Sequence, residues 1–90
     1  VLRIDDFGNL VTNISLSDFN KVLSQNTGSF KINVGGEIIN SISNAYSDVG
    51  IADIFAIFNY NQILEIGMNK GNASDLLGIR EHDSIKINFL

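Results

Sequence analysis

Short stretches in which apolar and polar residues alternate dominate this chain and favour a β-rich fold. Residues 30–34, FKINV, place an apolar side chain at every second position, as a strand with one buried face does. Residues 85–89, IKINF, repeat the pattern. Gly35 and Gly36 follow the first stretch and are typical of a two-residue hairpin turn. The apolar run IFAIF, residues 54–58, predicts a strand that is covered on both faces.

Two short helices are predicted between the strands. Apolar residues at i, i+3 and i+4 around Phe19 indicate the first helix, and either Ser15 or Ser17 can cap its N-terminus. The same spacing indicates a second helix within NASDLLG, residues 72–78, which begins with a good N-cap and ends with a glycine.

Six to eight short strands and two helices make a mainly β fold. Because exposed strand edges invite aggregation and closure hides them, we expect a small, mostly antiparallel β-barrel or closed sandwich. The chain has 90 residues and shows no repeat or linker, so residues 1–90 are predicted to form a single domain.

Composition narrows the class of partner. The net charge is −4, and the pI is about 4.6, which argues against binding to a phosphate backbone. No apolar run approaches the roughly 20 residues of a membrane span. The chain has no cysteine, so a disulfide framework and a thiolate site are excluded. The compartment is left open, with the cytoplasm as the default.

Candidates for catalysis are few. The chain has one histidine, His82, and it lies in a run of charged residues typical of a solvated turn. No set of side chains has the spacing of a metal site, no serine is paired with a histidine base, and no glycine-rich phosphate loop is present. The chain alone is therefore expected to have no catalytic residue and no metal.

Binding residues are more evident, first in residues 4–14, IDDFGNLVTNI. Alternate residues of an extended chain share a face, so Asp5, Phe7 and Asn9 could point the same way. An Asn amide both donates and accepts, which suits the edge of a heterocyclic base. The alternative is a strand, a bend at Gly8 and a second strand, with Asp and Asn serving as turn residues.

Further polar and aromatic residues occur in predicted loops, where binding groups usually lie on a rigid fold. Ordinary turn chemistry explains each of them as well. They are Tyr46, Tyr60, Asn61, Asn69 and Lys70.

The chain resembles the C-terminal domain of the S-adenosyl-L-methionine (SAM) hydroxide adenosyltransferases. The resemblance lies in the segments FGNLVTNI and LEIGMNKGNASDLLGI and in Tyr46, a lone aromatic in a polar loop between them. These adenosine-forming hydrolases are related to the fluorinases and chlorinases. The resemblance implies that an α/β domain precedes this one, that an activated water releases methionine and adenosine, and that the water-activating groups lie in that other domain. It also implies a homotrimer with substrate between neighbouring subunits, and no cofactor. The start at Val1 fits a C-terminal piece of a longer protein.

Matching the family motif assigns substrate-binding roles. Asp5 would meet the methionine ammonium, Phe7 would wall the pocket, and Asn9 would hydrogen-bond adenine. Tyr46 would stack on adenine. The remaining roles fall on two turns: Tyr60 and Asn61 near the methionine carboxylate, and Asn69 and Lys70 against adenine through their backbone.

One departure from the family affects the carboxylate site. The residue that matches the family's Asn is Asn59. After it the family usually has Ser, then Arg or a variable residue, then Gly, whereas this chain has Tyr60, Asn61 and Gln62. The departure puts recognition of the methionine carboxylate in doubt, and a changed substrate is one explanation for it. Two alternatives stay open: a β-barrel interaction module without chemistry, and the domain of a halide-using relative.

Overall fold

The structure, a computed structural model, describes residues 1–26, 28–43 and 54–90. These residues form seven strands and two helices. In chain order they are β1 (Arg3–Ile4), β2 (Leu10–Ser15), α1 (Leu16–Ser24), β3 (Phe30–Val34), β4 (Glu37–Ile39), β5 (Ile54–Phe58), β6 (Ile63–Met68), α2 (Ala73–Leu77) and β7 (Lys86–Phe89).

The larger sheet has the strand order β1-β2-β6-β5, and every pairing in it is antiparallel. Its central row joins Leu10, Ile66 and Ala56, each of which is fully buried. The register shifts between Val11 and Ser15, which marks a bulge or similar irregularity in β2. The strand order places β6 inside this sheet, between β2 and β5. The C-terminal end of β6 leads to the candidate site.

The smaller sheet has the order β4-β3-β7 and is also antiparallel. β3 and β4 are joined through Gly35 and Gly36, whose φ angles are +54° and +82°. Two successive positive φ angles are the requirement of a type I′ hairpin turn, so the predicted glycine hairpin is confirmed.

Both helices are capped as the sequence indicates. The Ser15 side chain accepts from the Asp18 backbone at the start of α1, which decides between the two candidate serines. At α2 the Asn72 side chain accepts from Asp75, and Gly78 ends the helix in the left-handed conformation. In the described part of the chain, no helix is long and apolar enough to cross a membrane.

The core lies between the two sheets and is closed by Phe19 of α1. Its ring is 5.0 Å from that of Phe30, and 5.4 Å from those of Phe58 and Phe89, centroid to centroid. Phe58 belongs to the larger sheet and the other two belong to the smaller one. The helix thus joins the sheets through edge-on and tilted ring contacts.

The described part of the chain does not form the expected closed barrel or closed sandwich. The mainly β, antiparallel character is confirmed, but the described residues form two open sheets. Alternation shows that a strand has a buried face, yet it does not show whether the outermost strands pair. Here α1 and α2 contribute Phe19, Ala73 and Leu77 to the shared core, so helices cover apolar surface that barrel closure would otherwise bury.

Candidate functional site

Residues 5–9 form a tight loop that the Asp5 carboxylate organises. Asp5 Oδ1 accepts from the backbone N–H groups of Phe7 and Asn9, each over 2.9 Å. Asp5 Oδ2 accepts from the Asn9 side-chain nitrogen over 3.0 Å. The backbone closes the loop as well, since the Gly8 N–H donates to the Asp5 carbonyl over 3.0 Å.

Gly8 fastens this loop to the start of α2. Its φ is +84°, and a Cβ there would collide with the Asn72 side chain. Its carbonyl accepts from the Ser74 N–H over 2.9 Å. Only a residue without a side chain fits, because both the positive φ and the close approach exclude a Cβ.

Residues 68–71 form the turn that leaves β6. The Gly71 N–H donates to the Met68 carbonyl over 3.2 Å, and Lys70 has a φ of +57°. A lysine in the left-handed region is strained, and such strain is often found at functional sites. A Cβ on Gly71 would collide with the Met68 side chain, so the turn packs closely on that residue.

A cavity of about 530 Å³ lies between the loop and this turn. It is open on one side, where Phe7 is 76% exposed. Its lining combines aromatic rings, side-chain amides, a thioether and a lysine. The lining residues are Phe7, Asn9, Phe55, Met68, Asn69, Lys70, Gly71 and Asn72.

The lining suits a flat, partly polar ligand. Phe7 and Phe55 offer ring surfaces, and Asn9 offers an amide whose nitrogen is already held by Asp5. Small-molecule sites generally combine apolar walls with a few placed polar groups. Among the described residues no group of three or more His, Cys, Asp or Glu side chains could hold a metal ion.

Four of the predicted binding residues meet at this cavity: Phe7, Asn9, Asn69 and Lys70. Asp5 is half-buried next to Asn9, and both of its carboxylate oxygens accept hydrogen bonds from residues of the loop. The neighbouring Asp6 is exposed, so the structure distinguishes the two adjacent carboxylates.

The remaining predicted residues lie elsewhere. Tyr60 and Asn61 are exposed in the turn that precedes β6, whereas the cavity lies at the other end of that strand. In that turn the Asn59 side chain accepts from the backbone of Asn61 and Ile63, so it stabilises the turn itself. Tyr46 lies outside the described residues.

Phe55 and Met68 also line the cavity, although the sequence places Phe55 only in a predicted strand and singles out no role for Met68. The available signal was Gly67, since a glycine inside a strand often marks a close approach. Gly67 pairs with Phe55 across β6 and β5, and a Cβ on it would meet both the Phe55 ring and the Asn9 side chain.

Comparisons with known proteins agree with this architecture. The family model of the SAM hydroxide adenosyltransferase C-terminal domain matches residues 1–86. Among curated proteins, none matches the chain.

Solved structures also resemble it. An uncharacterized conserved protein from Thermotoga maritima is 30% identical with a TM-score of 0.76, over 94% of this chain and 33% of that one. A conserved hypothetical protein from Thermus thermophilus is 27% identical with a TM-score of 0.69, over 100% of this chain and 33% of that one. The chain therefore spans about a third of the length of each of these structures. Since the family model covers nearly the whole sequence, the chain belongs to the SAM hydroxide adenosyltransferase C-terminal domain family.

Proposed function

We propose that this chain is the substrate-binding C-terminal domain of an adenosine-forming SAM hydrolase. In the proposed reaction a water oxygen bonds to the 5′ carbon of SAM while the bond from that carbon to sulfur breaks. The sulfur takes the bonding electron pair and leaves as the neutral thioether of methionine. The water loses a proton to a base of the N-terminal domain, and adenosine is the second product.

One observation carries this proposal: residues from two separate stretches of sequence meet around one cavity. Phe7 and Asn9 come from the loop before β2, and Asn69 and Lys70 come from the turn after β6. The family resemblance assigns these four residues to the substrate, and their meeting supports that assignment. A flat base could lie against the aromatic lining with its polar edge toward Asn9.

The open side of the cavity fits a site completed by another chain segment. Phe7 is largely exposed there, and large exposed aromatic rings often mark contact surfaces. In the proposed enzyme the N-terminal domain of a neighbouring subunit in a homotrimer covers this side and brings the water-activating groups. No cofactor, metal, nucleic acid or membrane takes part, and the cytoplasmic location belongs to the same proposal.

The test is incubation of the full-length protein with SAM, followed by chromatography of the products. Methionine and adenosine should appear in equal amounts, and the 90-residue chain alone, as the matched control, should release neither. Chloride or fluoride is added in a parallel sample. A 5′-halogenated adenosine would identify a halide-using enzyme instead, and no product under any condition would contradict the proposed hydrolase.

A further inference from the structure

We infer that Met68 is a site of oxidation by hydrogen peroxide, and that this modification weakens ligand binding in the cavity. In the reaction the Met68 sulfur bonds to one peroxide oxygen through a lone pair while the bond between the two oxygens breaks. The proton of the transferred oxygen passes to the departing oxygen, which leaves as water. The sulfur is oxidised to a sulfoxide, and the peroxide is reduced. The inference goes beyond the proposed hydrolase and rests on it only for the choice of adenosine as a probe.

Met68 carries the only sulfur in the chain, since the sequence has one methionine and no cysteine. Cysteine and methionine sulfurs are the side-chain atoms that peroxide oxidises in steps that reductases can reverse. No second sulfur in these 90 residues therefore competes for the oxidant. Met68 ends β6 and forms part of the cavity wall, so the one oxidisable sulfur lies at the candidate site.

The cavity gives peroxide access to this sulfur. The cavity has a volume of about 530 Å³ and is open on one side, and Met68 is half-buried. Any route that admits a nucleoside also admits hydrogen peroxide, which is a much smaller molecule. A bound nucleoside would cover the wall of the cavity, so we expect it to slow the oxidation.

Gly71 determines the side of the sulfur on which oxygen is added. A Cβ on Gly71 would collide with Met68 Sδ and would lie 2.8 Å from Met68 Cγ. The methionine side chain is therefore folded back over its own turn, with no room for an oxygen between the sulfur and Gly71. Because a sulfoxide sulfur is chiral, addition from the opposite side alone yields one epimer in excess.

The added oxygen changes the chemistry of the cavity wall. A thioether is apolar and adapts to its neighbours, whereas a sulfoxide is polar. A ligand that packs against this wall removes the sulfoxide oxygen from water. Its affinity should fall by roughly 5- to 150-fold, as expected when a polar group loses its hydrogen bonds to water on burial.

The experiment treats the full-length protein with hydrogen peroxide and then measures the dissociation constant of adenosine by calorimetry. The treated wild type should bind adenosine roughly 5- to 150-fold more weakly than the untreated wild type. Mass spectrometry of the peptide that contains Met68 should show one added oxygen, and adenosine present during the treatment should slow its appearance. After digestion, one of the two epimer-specific methionine sulfoxide reductases should remove the oxygen from most of this peptide, and the other should not.

Two substitutions of Met68 separate the chemistry of the sulfur from the shape of the wall. Met68→Leu keeps a similar volume without sulfur, so peroxide should leave its dissociation constant at the value of its own untreated sample. Met68→Gln places a permanent polar group at the same position. It should bind adenosine weakly, and peroxide should weaken its binding no further.

Each other result overturns part or all of the inference. A Met68 peptide without added oxygen overturns it, as does equal affinity of the treated and untreated wild type. Equal losses in the wild type and in Met68→Leu would place the damage at another residue and also overturn it, as would an untreated protein that does not bind adenosine. Equal amounts of the two epimers overturn the role of Gly71. Failure to release methionine and adenosine from SAM, with the effect of peroxide on adenosine binding intact, overturns only the proposed hydrolase.

Discussion

Asp5 and Asn9 hold each other across a five-residue loop through three hydrogen bonds. The Asn9 backbone N–H donates to Asp5 Oδ1 over 2.9 Å, and its side-chain nitrogen donates to Asp5 Oδ2 over 3.0 Å. The Asp5 N–H donates to the Asn9 carbonyl over 3.0 Å. Because the two residues act as one unit, the effects of substituting them should not add.

Asn9→Ala should weaken catalysis without unfolding the domain. It leaves the polar edge of the bound base unpaired in the cavity, at about 1–3 kcal/mol, which is roughly a 5- to 150-fold loss in kcat/KM. Steady-state kinetics of the full-length enzyme measure the loss, and a thermal melt checks the fold. His82→Asn is the control, since His82 is exposed and an asparagine tolerates its φ of +69°. Unchanged kinetics for Asn9→Ala would contradict the assignment of the cavity.

Gly8→Ala should destabilise the domain more than Gly28→Ala. The two glycines have φ angles of +84° and +86°, so an alanine meets the same backbone strain, about 1–2 kcal/mol, at either position. Among the described residues nothing lies within 4 Å of a Cβ on Gly28, whereas one on Gly8 collides with Asn72. Urea denaturation should show a further loss of about 1–3 kcal/mol for Gly8→Ala. Equal losses of unfolding free energy would mean that residues 5–9 can move away from α2 at little cost in stability.

Lys70→Gly should stabilise the fold and weaken nucleoside binding. Relief of the left-handed strain, about 1–2 kcal/mol, exceeds the entropic penalty of glycine, about 0.4–1 kcal/mol. Gln62→Gly is the matched control because its φ is +60° at the other end of β6, away from the cavity. Both variants should gain up to about 1.6 kcal/mol in unfolding free energy. In calorimetry only Lys70→Gly should bind adenosine more weakly, because the backbone assigned to the base is then held by a more flexible glycine. Equal binding by both variants would remove Lys70 from the site.

Phe19→Ala should cost about 3–5 kcal/mol of unfolding free energy, as expected when a large buried ring is removed. Phe19 is 3% exposed and its ring contacts both sheets. Val22→Ala on the same helix, at a site 38% exposed, should cost less than about 1 kcal/mol. Chemical denaturation followed by circular dichroism compares the two. Similar losses would show that the helix does not join the sheets through Phe19.

Much of the local structure could be predicted because its causes lie within a few residues. The Ser15 and Asn72 caps depend on side chains that reach backbone groups three positions ahead. Gly35 and Gly36 adopt two positive φ angles that other residues avoid. The burial of Phe55, Ala56 and Ile57 follows from an apolar run without alternation.

The candidate site was only partly predictable. The family resemblance named Phe7, Asn9, Asn69 and Lys70, and the structure gathers them. For Phe55 the sequence offers only the strand glycine Gly67 as a signal, and no local pattern indicates Met68. The Asp5 oxygens accept from backbone and side-chain donors of their own loop, because a short loop has N–H groups that need an acceptor. Contact between Asp5 and the methionine ammonium stays a prediction.

The order of helices and strands, the helix caps and the glycine turns depend on interactions between residues close in the sequence. The sequence alone is therefore enough to predict them. Whether the sheets close, and which side of β6 meets Asn9, depend on contacts between segments more than fifty residues apart, such as that between Asn9 and Gly67. Such contacts depend on the register of β2, β6 and β5 and on the packing of the helices against the core. The cavity is therefore a product of tertiary packing, because its two walls have no local interaction that would bring them together.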